Sequence, residues 1–316
     1  MIFTGISDEA ASSLEGQIRA AQELGWDQLE LRAVAGPGFA KTNFLDLPEA
    51  TFQTATKQFE TARVGICCVS STIMNWSRPI EEPFEVTLAE VRRAIPRMKQ
   101  LGTRFVRLMS FKPGDQEYKI PAEVFRRVRE VSNRFLDAGL RPLHENCRNY
   151  GGMSWQHALE LLDKCPGLQW LFDTANPLFN SDRSKSRPWP QQDPWEFWEN
   201  LRGHTAHLHI KDAQQDEAAN QLKYCWPGEG QGRVRDILQD ALERGYDGAL
   251  SIEPHTVTLL QDAPSSADQD ERLRRGFVEY GRRLEKLVDD LRTASSRVAA
   301  SRPSIQEARP FEHERA

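Results

Sequence analysis

Short apolar runs alternate with amphipathic stretches along the whole chain. Ile2 to Ile6 reads as a strand, and beyond Ser7 and Asp8 the apolar positions Ile18, Ala21 and Leu24 recur at helical spacing up to Gly25. The beat repeats with strands over 26–32, 64–70 and 104–109, followed by helices near 47–62, 83–101 and 121–139. The run at 64–70 is continuously apolar, as in a strand covered on both faces. Further strands are expected at 140–146, 168–173, 205–210 and 248–253, with helices near 154–164, 194–201, 232–244 and 269–293. Glycines stop several helices, among them Gly102 and Gly139, and Pro96 is expected to kink the 83–101 helix. Eight strands alternating with eight helices predict a parallel α/β protein.

Four of these strands end in a side chain that can donate to a metal. They are Arg141 to Glu145, Leu168 to Asp173, Thr205 to Ile210 with His209, and Ala249 to Glu253. Strand alternation puts Glu145 on a face with Leu143, Asp173 with Leu171, His209 with His207, and Glu253 with Ser251. His144 and Phe172 then face outward, and His207 sits a layer deeper than His209. Four donors at the C-terminal strand ends must converge on one point, which favours closure into a (β/α)8 TIM barrel over an open doubly wound sheet. The expected organisation is one barrel domain over residues 1–294 and a disordered tail over 295–316, where few large apolar residues are available to bury.

Three carboxylates and an imidazole, without thiolates, suit one hard or borderline divalent ion, Mn²⁺ first and otherwise Mg²⁺, Co²⁺ or Zn²⁺. Such an ion, holding a carbonyl and its neighbouring hydroxyl, acidifies the C–H bond between them, and a carboxylate on either side can move the proton. The long 174–194 connection follows Asp173 directly and is expected to be a lid. Trp76, Trp189 and Trp226 fall in connections where aromatic side chains could face a sugar, whereas Trp26, Trp155 and Trp170 read as packing residues. Gly228 to Gly232 reads as a turn into the seventh helix rather than a phosphate cradle, lacking the Lys-Ser/Thr ending of a P-loop. Glu30 shares a face with Arg32 and is expected to line the barrel floor.

Composition narrows the partners. The 46 acidic and 41 basic residues give a net charge of −5, so no basic field favours nucleic acid. No apolar run approaches the roughly 20 residues of a membrane helix, and no leader pattern follows Met1, so a cytoplasmic protein is expected. Five cysteines without CxxC spacing imply reduced packing residues. Assembly into a homo-oligomer is left open.

The segments GISDEA (5–10), QELGWDQLELR (22–32), HENC (144–147), FDTAN (172–176), HLHIKDA (207–213) and SIEPH (251–255) resemble the xylose isomerase-like TIM barrel superfamily of sugar phosphate isomerases and epimerases. The resemblance covers about residues 1–293. It implies metal ligation by Glu145, Asp173, His209 and Glu253, with the two glutamates also acting as the acid and base pair. Arg148, Asn176, Lys211, Asp212, His255 and Trp76 are assigned to substrate binding. The chain departs from epimerase-type relatives in having Asn176 where they carry a histidine, and in the Lys211-Asp212 continuation after His209. The implied activity is isomerisation or epimerisation of a sugar, keto-sugar or polyol derivative through an enediolate. The alternative on the same scaffold is a lyase or dehydratase that eliminates a β-leaving group. A carbohydrate-binding protein without catalysis is the alternative of another class.

Overall fold

The computed structural model describes residues 1–36, 39–216, 219, 221–255 and 269–301, with side chains through residue 294. Residues 37–38, and residues 302–316 of the expected tail, lie outside the described residues.

Eight parallel strands form a nearly closed barrel: β1 (Ile2–Gly5), β2 (Gln28–Leu31), β3 (Gly65–Ser70), β4 (Phe105–Leu108), β5 (Arg141–Glu145), β6 (Gln169–Asp173), β7 (Thr205–Ile210) and β8 (Ala249–Ile252). Each strand pairs with its sequence neighbour, and β1 pairs with β8; β1 and β2 meet through a single bridge, Ile6 to Glu30. The longer helices are α1 (Leu14–Leu24), α2 (Glu49–Ala62), α3 (Phe84–Leu101), α4 (Ala122–Asp137), α5 (Trp155–Lys164), α6 (Pro194–Leu201), α7 (Val234–Glu243) and α8 (Gln269–Ser301), and a single turn, Asn176–Phe179, precedes α6. Pro96 lies inside α3, which continues through it to Leu101. The last helix reaches Ser301, beyond the expected end near residue 293. Two antiparallel hairpins, Ala33–Gly36 with Phe39–Asn43 and Asp212–Asp216 with Gln221–Cys225, interrupt the βα beat. Their strands are short insertions after β2 and β7, too brief for a period to stand out.

The main core lies between strands and helices. Leu29, Val69, Val106, Trp170, Phe172, Leu208 and Leu250 face outward into it against side chains such as Phe52, Val128, Phe197 and Phe277. His144 joins this layer, stacked on Trp170 at 5.0 Å, and burial drives its imidazole down to about 3, so it is neutral at physiological pH. The closing helix approaches β1 tightly: a Cβ on Gly5 would stand 2.5 Å from the Phe277 ring. Inside the barrel the apolar cluster is small, with Cys68, Leu143 and Leu171 fully buried. Above it the interior turns polar, with Glu30, Ser70, Arg107, Glu145, Asp173, His207, His209 and Ser251 all buried. A charged barrel interior is costly unless its groups pair, and their pairing defines the site.

Candidate metal centre

Register brings the donors together. Asp173 lies opposite His209 across β6 and β7, His209 opposite Ser251 across β7 and β8, and the Glu253 N–H donates to the Ile210 carbonyl. The strand ends thereby carry one ligand atom each of Glu145, Asp173, His209 and Glu253 to within 4.8 Å of one another, with all four residues buried. The alternation that sets Leu143 and Leu171 in the small inner cluster sends Glu145 and Asp173 into the same interior.

Every acid in this cup has a cationic neighbour. Arg107 Nη1 lies 3.1 Å from Glu145 Oε2, and Arg32 Nη1 2.7 Å from Glu253 Oε1. Arg32 is itself held by Asp8 at 2.7 Å and Glu9 at 2.6 Å. Lys211 Nζ stands among the acids, 2.8 Å from Asp173 Oδ2, 2.9 Å from Glu253 Oε2 and 3.1 Å from Asn176 Oδ1. Burial works against the Lys211 charge, but Asp173, Glu253 and Glu145 outweigh it and raise the ammonium well above its ordinary value. Glu253 is held well below the ordinary carboxylate range, because Lys211, His255, Arg32 and His209 overcome the desolvation that would raise it. Glu145 is lowered in the same way, burial being outweighed chiefly by Arg107 and His209. Asp173 goes the other way: burial, reinforced by the Glu253 and Glu145 charges, pushes it up to about 6 despite Lys211.

His209 is oriented from below. Its Nε2 sits 3.1 Å from both oxygens of Glu30, and its Nδ1 faces the acids, 3.2 Å from Glu145 Oε1. Glu30 also meets His207 Nε2 at 2.8 Å and accepts a 2.5 Å hydrogen bond from Ser70 Oγ. In the metal-free protein burial would lower His209, but Glu30 and Glu145 reverse this and raise it to about 10. The donor set fits a divalent ion: the donors are oxygens and one imidazole nitrogen, all buried, and the imidazole's far nitrogen has a carboxylate partner.

A cavity of about 400 Å³ opens over the cup, lined by Glu145, Glu253, Arg32, Arg107 and Lys211 together with Trp76, Arg148, Asn176 and His255. Asn176 donates from Nδ2 to Glu145 Oε1 at 3.3 Å, so the side chain three residues after Asp173 touches a candidate ligand. His255, held at φ 46°, stacks on Tyr224 with centroids 4.5 Å apart and accepts no place in the metal cup itself, its Nε2 lying 3.7 Å from Glu253 Oε1.

Three expectations are corrected here. Asp212 does not reach the cavity. Its carboxylate accepts from the backbone N–H groups of Ala213, Gly228, Gly230 and Gly232 at 2.9, 3.0, 2.9 and 2.9 Å. The Gly228–Gly232 loop is thus a cradle for an internal anion, and Gly230 is needed because a Cβ there would fall on Asp212 Oδ1. Trp226 is likewise remote, packed on Tyr280 with Arg283 over its ring. The 174–194 connection walls a second cavity rather than capping the cup. Arg183 ties it to the Gly114 and Glu117 carbonyls, and Asn176 and Phe179 near its start reach the first cavity. Arg32, Arg107 and Glu9 had drawn no functional expectation. Arg107 was detectable as a cation inside the apolar β4 run, whereas the Arg32 network depends on the loop after β1, which no local pattern places.

A family model described as xylose isomerase-like TIM barrel matches residues 18–276. The chain belongs to the xylose isomerase-like TIM barrel family. Within a 78-residue stretch it is 32% identical to fructoselysine 3-epimerase of Escherichia coli O157:H7, a match that spans 24% of this chain and 26% of that enzyme. The fold is shared with the probable 3-DHS dehydratase AsbF of Bacillus anthracis, at TM-score 0.64 and 18% identity over 88% of this chain and 97% of that one. It is also shared with the IolI protein, whose crystal structure holds a zinc atom, at TM-score 0.61 and 16% identity over 93% and 99%. Among the described residues no helix is long and apolar enough to cross a membrane.

Proposed function

We propose that this family member is a metal-dependent isomerase or epimerase of a sugar, keto-sugar or polyol derivative. The observation that carries the reading is the pair of buried glutamates, Glu145 and Glu253, each anchored by an arginine and both facing a cavity large enough for a monosaccharide. Glu145, Asp173, His209 and Glu253 would hold the ion, Mn²⁺ being the first candidate ahead of Mg²⁺, Co²⁺ and Zn²⁺. When bound it would supply Lewis acidity toward the substrate's carbonyl and adjacent hydroxyl oxygens.

The residues supply the rest. Both glutamates are held below the ordinary carboxylate range and are therefore ionised at neutral pH, the state a base requires. One glutamate takes the proton from the carbon between carbonyl and hydroxyl, and the electron pair of that C–H bond moves toward the carbonyl oxygen to give the enediolate. The other glutamate, after taking a proton from solvent, delivers it to the opposite face to give the epimer, and delivery of the abstracted proton to the neighbouring carbon gives the isomer. Arg107 and Asn176 fix Glu145, and Arg32 and Lys211 fix Glu253, so neither acid can rotate away between the two transfers. Asn176, Lys211, His255, Arg148 and Trp76 line the space a substrate would fill.

The test is proton exchange with solvent. With Mn²⁺-loaded protein in D₂O, a ketose that is turned over should gain deuterium at the reacting carbon. Glu145→Gln or Glu253→Gln, assayed in preparations shown to retain metal, should lower exchange by about a hundredfold or more. Product formed without solvent deuterium would overturn the assigned roles, and loss of water from the product would establish β-elimination in place of isomerisation.

A further inference from the structure

The cavity over the cup does not end at its own walls. A second cavity, about 390 Å³, shares Trp76, Arg148 and Phe179 with it and extends outward between the 112–115 segment and the 174–194 connection. Each cavity alone is of the size that takes a small ligand, so the pair has room for a ligand longer than the inner cavity alone.

The charge of the outer cavity differs in kind from that of the inner one. Around the cup, Arg32, Arg107 and Lys211 are each neutralised by carboxylates at 2.7–3.1 Å. The outer cavity is lined by three cations, Lys112, Arg148 and Arg183, against a single acid, Asp115. Arg183 is occupied by two backbone carbonyls and by the face of Trp189. The side chains of Arg148 and Lys112 have no hydrogen-bond or ion-pair partner among the described residues. Beside them Trp76 remains 43% exposed. In a chain with net charge −5, two unpaired cations next to an exposed indole at the mouth of a buried cup form a receptor for negative charge.

We infer that the substrate is extended: the sugar occupies the inner cavity, and a substituent remote from the reacting carbons passes Trp76 and ends in an anionic oxygen group, a carboxylate or a phosphate ester, held by Arg148 and Lys112. Arg148 follows β5 by three residues and borders both cavities, so the same strand presents Glu145 to the reacting carbon and a cation to the far end. The inference rests on the reading of the inner cavity as a sugar site.

The test compares binding by Mn²⁺-loaded protein of three probes that share one sugar: D-fructose, D-fructose 6-phosphate and fructosyl-glycine, whose arm ends in a carboxylate. Titration calorimetry at low salt should give at least one of the anionic probes a Kd about tenfold or more below that of fructose, and the preferred probe identifies the arm as phosphate or carboxylate. This ratio should fall to about one in the Lys112→Ala/Arg148→Ala double variant and invert in Arg148→Glu, two exposed positions whose folding is checked by the melting temperature. The ratio should also shrink as salt is raised. Failure of both anionic probes to outbind fructose, or a preference that survives in the double variant, overturns the inference. Solvent deuterium exchange is read separately on the same preparations: its loss with the anion preference intact refutes the isomerase reading alone, and the reverse outcome refutes the extended substrate alone.

Discussion

Glu30 acts on the proposed metal site without being one of its four donors. Its carboxylate holds Nε2 of His209 at 3.1 Å, which aims Nδ1 at the acids, and His207 and Ser70 hold Glu30 in turn. A carboxylate behind a ligating imidazole fixes its tautomer and raises its basicity, and loss of such a partner costs about 10–100-fold in metal affinity. Glu30→Gln is therefore expected to weaken Mn²⁺ binding by that factor in a competition titration; unchanged affinity would remove Glu30 from the account. The same contacts set a pH dependence. In the metal-free protein His209 holds its proton up to about pH 10 and Asp173 up to about pH 6, and both must be deprotonated to ligate. Metal affinity should accordingly rise with pH from 6 toward 10 as one proton is displaced from His209, and more steeply below 6, where Asp173 must also lose one. Calorimetry at pH 8 in buffers of different ionisation enthalpy should detect about one proton released per ion bound. An affinity that falls as pH rises would contradict the protonation assigned to His209.

At the scale of elements, alternation along single strands was enough to bring out four candidate donors, because each stands at the end of an apolar run whose neighbours declare its face. Leu143 beside Glu145 and Leu171 beside Asp173 lie inside the barrel, and His144 and Phe172 lie outside it, as alternation requires. What alternation could not supply is partnership between distant elements. Glu30 and His209 are 179 residues apart, and Arg32 reaches Glu253 across 221, contacts that exist only once the barrel closes. Asp212 was misread for a related reason: a polar residue following a ligand strand looks available to substrate until the glycine loop sixteen to twenty residues later is seen to wrap it. That wrapping carries its own expectation. Asp212→Ala leaves four backbone N–H groups without their acceptor, each costing about 1–3 kcal/mol when buried and unpaired, so a loss of about 3 kcal/mol or more is expected in urea unfolding. A loss below about 1 kcal/mol would show that the loop holds itself without Asp212.

For the whole molecule, the apolar layer between strands and helices supports an interior that is largely polar. Buried charge of this density is weak evidence for stability and strong evidence for a site, since removing one partner leaves another charge stranded. The four acids and bases converge because β5 to β8 are consecutive neighbours in one parallel barrel, and that convergence is the central claim. It is tested most directly by metal stoichiometry: load the protein with Mn²⁺, dialyse against metal-free buffer and measure metal per chain by mass spectrometry for the wild type, Asp173→Asn and His209→Ala. The account predicts about one ion retained by the wild type and essentially none by either variant, with all three proteins folded. A wild type that retains none, or variants that retain as much as the wild type, would contradict it.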